Sequence, residues 1–261
     1  VDELEIEKAT KGLSPEDEDL LRAAHEWAEV NPMLGTRGVR LGVVKPGLYA
    51  MQVRALMEAA DEVSSKGYEP IVEIMIPLTV TREELALARS WVEEVLADIN
   101  SRPSPKAKKG EKSIKRPKVS IGTMIETPRA ALRAGELAEV SDFFSFGTND
   151  LTQMTFGFSR DDIESRMMPA YLEAGLLKRN PFETIDQSGV GELVFLAAER
   201  GRKVKRSLKL GVCGEHGGDP ESIGMFYRAG LNYVSCSPYR VPIARLSAAQ
   251  AVIGGAKTET K

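Results

Sequence analysis

VSIGTMIETPRAALRAGELAEVSDFFSFGTND, residues 119–150, decides how this chain folds. VSIGTMIE (119–126) is a nearly continuous apolar run ended by a carboxylate, the pattern of a strand buried on both faces. Pro128 pre-sets the first φ of a helix expected over 128–139. DFFSFGTND (142–150) is a second short apolar strand, breaking into Gly-Thr-Asn-Asp. Strand, helix, strand is the repeating unit of a parallel sheet, because parallel neighbours need a long crossover.

The same alternation continues on both sides. Upstream, PIVEIMIPL (70–78) is another buried-type strand, and Thr81 with Glu84 forms a capping box opening a helix to about Ile99. Before it, MLGTRGVRLGVV (33–44) reads as a glycine-punctuated strand, followed by a helix from Pro46 to about Ser65. Downstream come a helix near 190–200, LKLGVCGEHGG (208–218) as strand into glycine-rich loop, a helix near 220–229, LNYVSCSP (231–238) as the last strand and Val241–Val252 as the last helix. Ser14, Pro15 and Asp17 start a helix running through Glu29, after a charged and loosely held opening stretch.

Six strands with helical crossovers predict an α/β fold, either an open doubly wound sheet or a (β/α)₈ barrel. No G-x-G-x-x-G or Walker sequence follows any strand. Arg37, Glu126, Asn149, Asp150 and Cys213 fall late in strands or just beyond them, where a barrel keeps its chemistry. Six strands cannot close eight, so the expectation is an incomplete TIM-like barrel, two strands missing or supplied by upstream chain. The expected organisation is a lead-in and helix over 1–30, a barrel domain over 31–254 with a flexible basic insert at 101–118, and a disordered tail over 255–261.

Of 261 residues 42% are hydrophobic and 28% charged, which excludes collagen-like and wholly disordered chains. No apolar run approaches the roughly 18 residues of a membrane span, so a soluble protein without membrane partners is expected. Cys213 and Cys236 make no disulfide framework and suggest a reducing compartment, the cytoplasm or an organelle. Val1 in place of Met suggests a processed chain or a piece of a longer one. The net charge is −3, yet 101–118 holds eight Lys/Arg and one Glu, so one basic loop sits on an acidic body. That loop has no aromatic residue to stack a base, so no nucleic-acid partner is expected.

Glu126 and Asp150 are carboxylates at the ends of very hydrophobic strands, costly to bury unless paired or bound to a cation. Two such groups suit Mg²⁺, which takes one or two carboxylates and leaves positions for substrate oxygens; each also reads as a cap for the following helix. Gly147, Thr148 and Asn149 form a turn whose N–H groups can face an anion, or an ordinary turn. Arg37, between Gly35 and Gly38, offers a fork for carboxylate or phosphate, or a surface arginine; Arg54 on the next helix reads as a solvated face residue. Cys213 sits in flexible backbone, where nearby cations would lower its pKa and make it an acid or base, or else it is inert. Cys236 reads as inert. His216 lies near the same mouth, leaving a Cys–His or Ser–His nucleophile open but without a third member.

Taken together, NPMLGTRGVRLG (31–42), EIMIPL (73–78), GTMIETPRAAL (122–132), DFFSFGTNDLTQMTFGFSRDD (142–162), GVCGEHGGDP (211–220) and YVSCSPYRVPIARLSAAQA (233–251) closely resemble the C-terminal domain of the pyruvate phosphate dikinases. The phosphoenolpyruvate synthases and the enzyme I proteins of sugar phosphotransferase systems share the G-T-N-D and C-G-E elements. The resemblance implies a barrel, here without its first two strands, binding phosphoenolpyruvate and pyruvate with Mg²⁺ on Glu126 and Asp150. Arg37 would grip the phosphoryl group or substrate oxygens, and Gly147, Thr148, Asn149 and Asp150 would contact substrate. Cys213 would move the proton at the methyl carbon, and Arg54 and Arg160 match further arginines of the pocket. It also implies a phosphohistidine domain and a nucleotide-binding domain elsewhere in a full-length protein, a homodimer, and an isolated chain without turnover. A Mg²⁺-dependent aldolase or lyase on the same barrel, and a non-catalytic scaffold, are the alternatives.

Overall fold

The computed structural model describes residues 1–26, 28, 31–103 and 116–258. They form two compact units, Val1–Arg37 and Gly38–Lys261. The first contains α1 (Asp2–Thr10) and α2 (Pro15–Glu26). The opening stretch is therefore helical rather than loosely held, although α1 buries none of its residues. The expected start of α2 is present: Ser14 Oγ accepts the Asp17 N–H at 3.1 Å and donates to its carboxylate at 2.6 Å. Residues 27, 29 and 30, the expected end of that helix, lie outside the described residues.

The second unit is an α/β fold around five parallel strands: β1 (Val72–Ile76), β2 (Val119–Ile125), β3 (Phe143–Gly147), β4 (Lys209–Cys213) and β5 (Tyr233–Val234), in the order β1-β2-β3-β4-β5. The order has no reversal, so the switch point of a doubly wound sheet is lacking. There are five strands among the described residues, not six. The stretch expected as the first strand instead turns and forms α3 (Val39–Val44). Its buried positions, Val39 and Gly42, are three apart, a helical spacing that the β-branched residues masked. Gly42 is glycine because the Trp91 and Tyr49 rings would stand 3.2 Å from a Cβ there.

Before the first strand runs α4 (Leu48–Ser65); between the strands run α5 (Arg82–Ser101), α6 (Pro128–Leu132), α7 (Ala134–Glu139), α8 (Thr148–Phe156), α9 (Arg160–Ile163), α10 (Met167–Glu173), α11 (Val190–Val204) and α12 (Pro220–Arg228), and α13 (Val241–Thr258) follows the last. The helix expected over 128–139 is broken in two at Arg133. The last strand is only two residues long, and the last helix continues past Val252 to Thr258, so the expected tail is helical at its start. Thr81 caps α5 by accepting the Glu84 N–H at 3.1 Å. The basic insert falls largely on 104–115, outside the described residues. Arg116 at its end is held by Asp61 at 2.9 Å and by the Ile99 carbonyl at 2.6 Å.

The helices cover one face of the sheet. Ile74, Ile76, Ile121, Ile125, Phe144, Phe146, Leu210 and Val212 pack with Leu85, Val92 and Val95 of α5 and Val194 and Ala197 of α11 in one core. Each such side chain contributes roughly 1.5–3 kcal/mol when fully buried. The other face is not fully covered: β1 alternates buried and exposed, so the expectation of burial on both faces fails there. That face is concave. Lys209 Nζ on β4 reaches Glu73 on β1 at 2.8 Å across two intervening strands. In a flat sheet those strands would lie about 14 Å apart. The sheet curls as a barrel wall does, with β1 and β5 as its edges among the described residues.

Candidate functional site

Parallel strands deliver their carboxyl ends to one edge, and the register decides which side chains meet there. Ile125 pairs with Phe146 and Gly147 with Cys213, so Glu126, Gly147 and Cys213 stand side by side. Glu126 is only 2% exposed. Its Oε1 accepts the Leu78 N–H at 2.7 Å, and its Oε2 lies 2.7 Å from where a Cβ on Gly147 would stand. Glycine at 147 is therefore what lets the carboxylate lie against β3. Leu78 has φ +59°, the one non-glycine residue with positive φ among the described residues. This tight turn aims its N–H at Glu126, a backbone strain of the kind found at functional sites.

Asp150 lies in the first turn of α8, directly after β3, with Thr148 buried and Asn149 half-buried beside it. The Asn149 Oδ1 is buried and hydrogen-bonded to nothing among the described residues. Cys213 lies beside Ser145, and its thiol donates to the Phe146 carbonyl at 3.8 Å. Burial pushes its thiol pKa up, and the Glu126 and Asp150 charges add to that rise. The expected lowering by cations is thus reversed: the charges that act on the thiol are those of two carboxylates. A dication held by the two carboxylates would change that sign. Among the described residues no group of three or more His, Cys, Asp or Glu gathers as a metal cage. Two carboxylates and an unpaired amide oxygen fit a hard cation that keeps water or substrate oxygens in its remaining positions.

Two residues of this edge escaped sequence reasoning. Met124, Ser145, Gly211 and Tyr233 form one row across the four strands β2 to β5. The Tyr233 ring lies where a side chain at 211 would be, and its hydroxyl reaches past that glycine to Ser145. Ser145 therefore lies between the thiol of Cys213 and the Tyr233 phenol. Gly211 beside two polar residues in apolar strands was the available signal. Cys236 lines a cavity of about 360 Å³ with Asn149, Gly214, Glu215, Ser235 and Arg240.

His216 is no nucleophile partner. It is fully buried, with Nδ1 2.7 Å from Thr148 Oγ1 and Nε2 2.8 Å from the Pro181 carbonyl. Arg54 is half-exposed on α4 and pairs with Asp98 at 2.8 Å, on a solvated face rather than in the pocket that the resemblance implies. Asp98 is near the end of α5, which runs back toward the amino edge, so Arg54 is not brought to the carboxyl edge. Arg160 grips Glu215 with both fork nitrogens at 3.1 Å, bracing the cavity wall. Arg37 is the last residue of the first unit, its N–H 3.1 Å from the Gly35 carbonyl.

Residues 10–253 match the family described as PEP-utilising enzyme, PEP-binding domain. Curated relatives include pyruvate, phosphate dikinase 2 of Oryza sativa subsp. japonica, 52% identical over 240 residues, which are 90% of this chain and 25% of that protein. Pyruvate, phosphate dikinase 2 of Zea mays is 52% identical over 90% of this chain and 26% of its own length. Pyruvate, phosphate dikinase 1, chloroplastic, of Arabidopsis thaliana is 51% identical over 91% of this chain and 24% of its own length. The chain thus spans about a quarter of the length of these relatives. Among solved structures, a citrate lyase from Burkholderia xenovorans LB400 aligns at TM-score 0.43 and 12% identity, covering 74% of this chain and 53% of that one. No helix among the described residues is long and apolar enough to cross a membrane. With 244 consecutive residues matched, this chain belongs to the PEP-binding domain family of the PEP-utilising enzymes.

Proposed function

We propose that the carboxyl edge of this sheet binds phosphoenolpyruvate and pyruvate, and that in a whole dikinase it runs the pyruvate half of the reaction. There a phosphoryl group would pass between a phosphohistidine on another domain and the pyruvate enolate oxygen. The whole enzyme would turn ATP, pyruvate and phosphate into AMP, phosphoenolpyruvate and diphosphate. The nucleotide-binding domain of the same protein and a second copy in a homodimer are the other partners of this reading. The observation that carries it is the meeting of Glu126, Asn149, Asp150 and Cys213 at adjacent strand ends.

Glu126 and Asp150 would hold Mg²⁺, which when bound supplies positive charge where the enolate oxygen develops. The remaining work falls to the chain's own groups. The Leu78 N–H fixes one oxygen of Glu126. The turn at Gly147–Asp150 offers backbone N–H groups at the start of α8 to the substrate carboxylate. Toward pyruvate, the Cys213 thiol gives its proton to the methylene carbon as the phosphoryl group leaves; in reverse, the thiolate takes a methyl proton. Burial keeps that thiol protonated at neutral pH, the form a proton donor needs. Ser145 and Tyr233 flank the sulfur from the neighbouring strands.

The reading is tested with the full-length protein that carries this chain, by following exchange of pyruvate methyl protons into D₂O with Mg²⁺ present. Cys213→Ala is expected to slow exchange by about 10²- to 10⁴-fold. Exchange at the original rate in that variant contradicts the assignment of Cys213.

A further inference from the structure

His216 is a buried titratable group that the proposed chemistry does not use. It lies in the 3₁₀ turn Glu215–Gly218, directly after β4, and both ring nitrogens are engaged. The partner of Nε2 is a carbonyl, which only accepts, so Nε2 carries the proton. In the neutral ring Nδ1 is then an acceptor, and the Thr148 hydroxyl 2.7 Å away must be its donor. Burial holds the ring pKa below the ordinary histidine value, with Arg160 acting in the same direction. The Pro181 carbonyl, Asp219 and Glu215 pull the other way, and the net shift is downward.

We infer that His216 is a positioning residue: by accepting the Thr148 hydroxyl proton it fixes the first turn of α8, which carries Asn149 and Asp150, against the loop that follows Cys213. Thr148 is fully buried at the first position of α8, and Gly147 before it gives the helix no side-chain cap. The Thr148–His216 bond is therefore a side-chain anchor of that turn. It spans the ends of β3 and β4, while Nε2 ties the same ring to the segment at Pro181. The Thr148 hydroxyl proton is committed, so Thr148 can meet a ligand only through its N–H or its oxygen lone pairs. The relevance to substrate rests on the reading of this edge as a phosphoenolpyruvate site; the positioning itself does not.

The chain has two histidines, His25 and His216, so ¹⁵N NMR of histidine-labelled protein resolves the ring directly. The expected spectrum shows His216 as the Nε2–H tautomer with a bare Nδ1. A proton on Nδ1 at neutral pH overturns the inference. Two substitutions then separate the bonds. His216→Asn keeps an acceptor near Nδ1 and loses the donor to Pro181, whereas His216→Gln keeps the donor and loses the acceptor. At similar thermal stabilities, the Gln variant alone should shift the backbone amide signals of Asn149 and Asp150. It should also weaken phosphoenolpyruvate binding with MgCl₂ roughly fivefold to tenfold, the worth of one hydrogen bond, while Asn stays within about twofold. Equal amide shifts in both variants, or none in the Gln variant, overturn the positioning role. If the wild type binds no phosphoenolpyruvate the site reading fails, and the amide signals still decide the role of His216.

Discussion

Leu78 donates its N–H to Oε1 of Glu126 at 2.7 Å from a left-handed conformation, φ +59°, that a leucine rarely adopts. The turn is locked from beneath. Gly38 lies under the Leu78 side chain, where a Cβ would stand 3.1 Å from that of Leu78, and the Val39 N–H donates to the Pro77 carbonyl at 3.2 Å. Leu78 is itself fully buried, so truncating it costs about 2–5 kcal/mol in lost packing. The usual order of small residues should then reverse. Leu78→Gly is expected to retain about 1 kcal/mol more stability than Leu78→Ala, because glycine adopts this φ without strain. Urea unfolding of the two variants checks it; an alanine variant as stable as the glycine one would remove strain from the account.

Gly147→Ala should damage the site more than the fold. The new methyl group would stand 2.7 Å from the Cβ and Oε2 of Glu126 and 2.8 Å from the end of Met124. The Met124 tip can swing aside, but the Glu126 Cβ is part of the chain after β2. Overpacking of this kind costs typically about 1–3 kcal/mol. Displacing the carboxylate should weaken Mg²⁺-dependent phosphoenolpyruvate binding more than tenfold (about 1.4 kcal/mol). Gly135→Ala, whose Cβ would meet its nearest atom at 3.6 Å, is the control and should leave binding unchanged.

The Cys213 thiol should be sluggish toward alkylation near neutral pH. Burial, and then the charges of Glu126 and Asp150, keep it protonated to higher pH than an ordinary cysteine. In a Cys236→Ser background, iodoacetamide labelling without metal should rise with pH only above the usual thiol range. Asp150→Asn removes one negative charge and should shift that profile to lower pH. A profile that Asp150→Asn leaves in place would mean that the carboxylate does not act on the thiol.

Asp142 makes a pH-dependent contribution to stability far from the site. Burial raises its pKa, but the Ile121 N–H and the Arg89 and Lys205 charges outweigh that, and the net shift is downward. A carboxylate with a depressed folded pKa stabilises above its unfolded value and loses that contribution as pH falls through the folded one. Asp142→Asn should therefore cost about 1 kcal/mol at pH 7, discounted for partial exposure. The gap to wild type should close below about pH 4. Denaturation at pH 7 and pH 3 tests the sign; a gap that widens in acid contradicts it.

What the sequence could show was set by what each residue must do alone. β2 and β3 were legible because VSIGTMI and FFSFG are apolar runs and Pro128 marks the helix between them. Glu126 and Asp150 were legible because a charge at the end of such a run needs a reason. Residues 33–44 were misread because Val39, Val43 and Val44 favour strands locally, whereas the packing of Val39 and Gly42 makes a short helix. Ser145 and Tyr233 were missed because their role depends on a cross-strand row through Gly211. The Leu78 turn leaves no composition signal, since its φ is imposed by its surroundings. His216 carried the right position and the wrong partner: its distance to Thr148 is a product of the fold.

The central claim is that Glu126 and Asp150 make the carboxyl edge a Mg²⁺-dependent phosphoenolpyruvate site. Calorimetric titration of phosphoenolpyruvate into the chain with and without MgCl₂, in wild type and Glu126→Ala, tests it most directly. The account predicts binding that strengthens with Mg²⁺ in the wild type and loses its metal dependence in the variant. Metal-dependent binding that survives Glu126→Ala unchanged would contradict it.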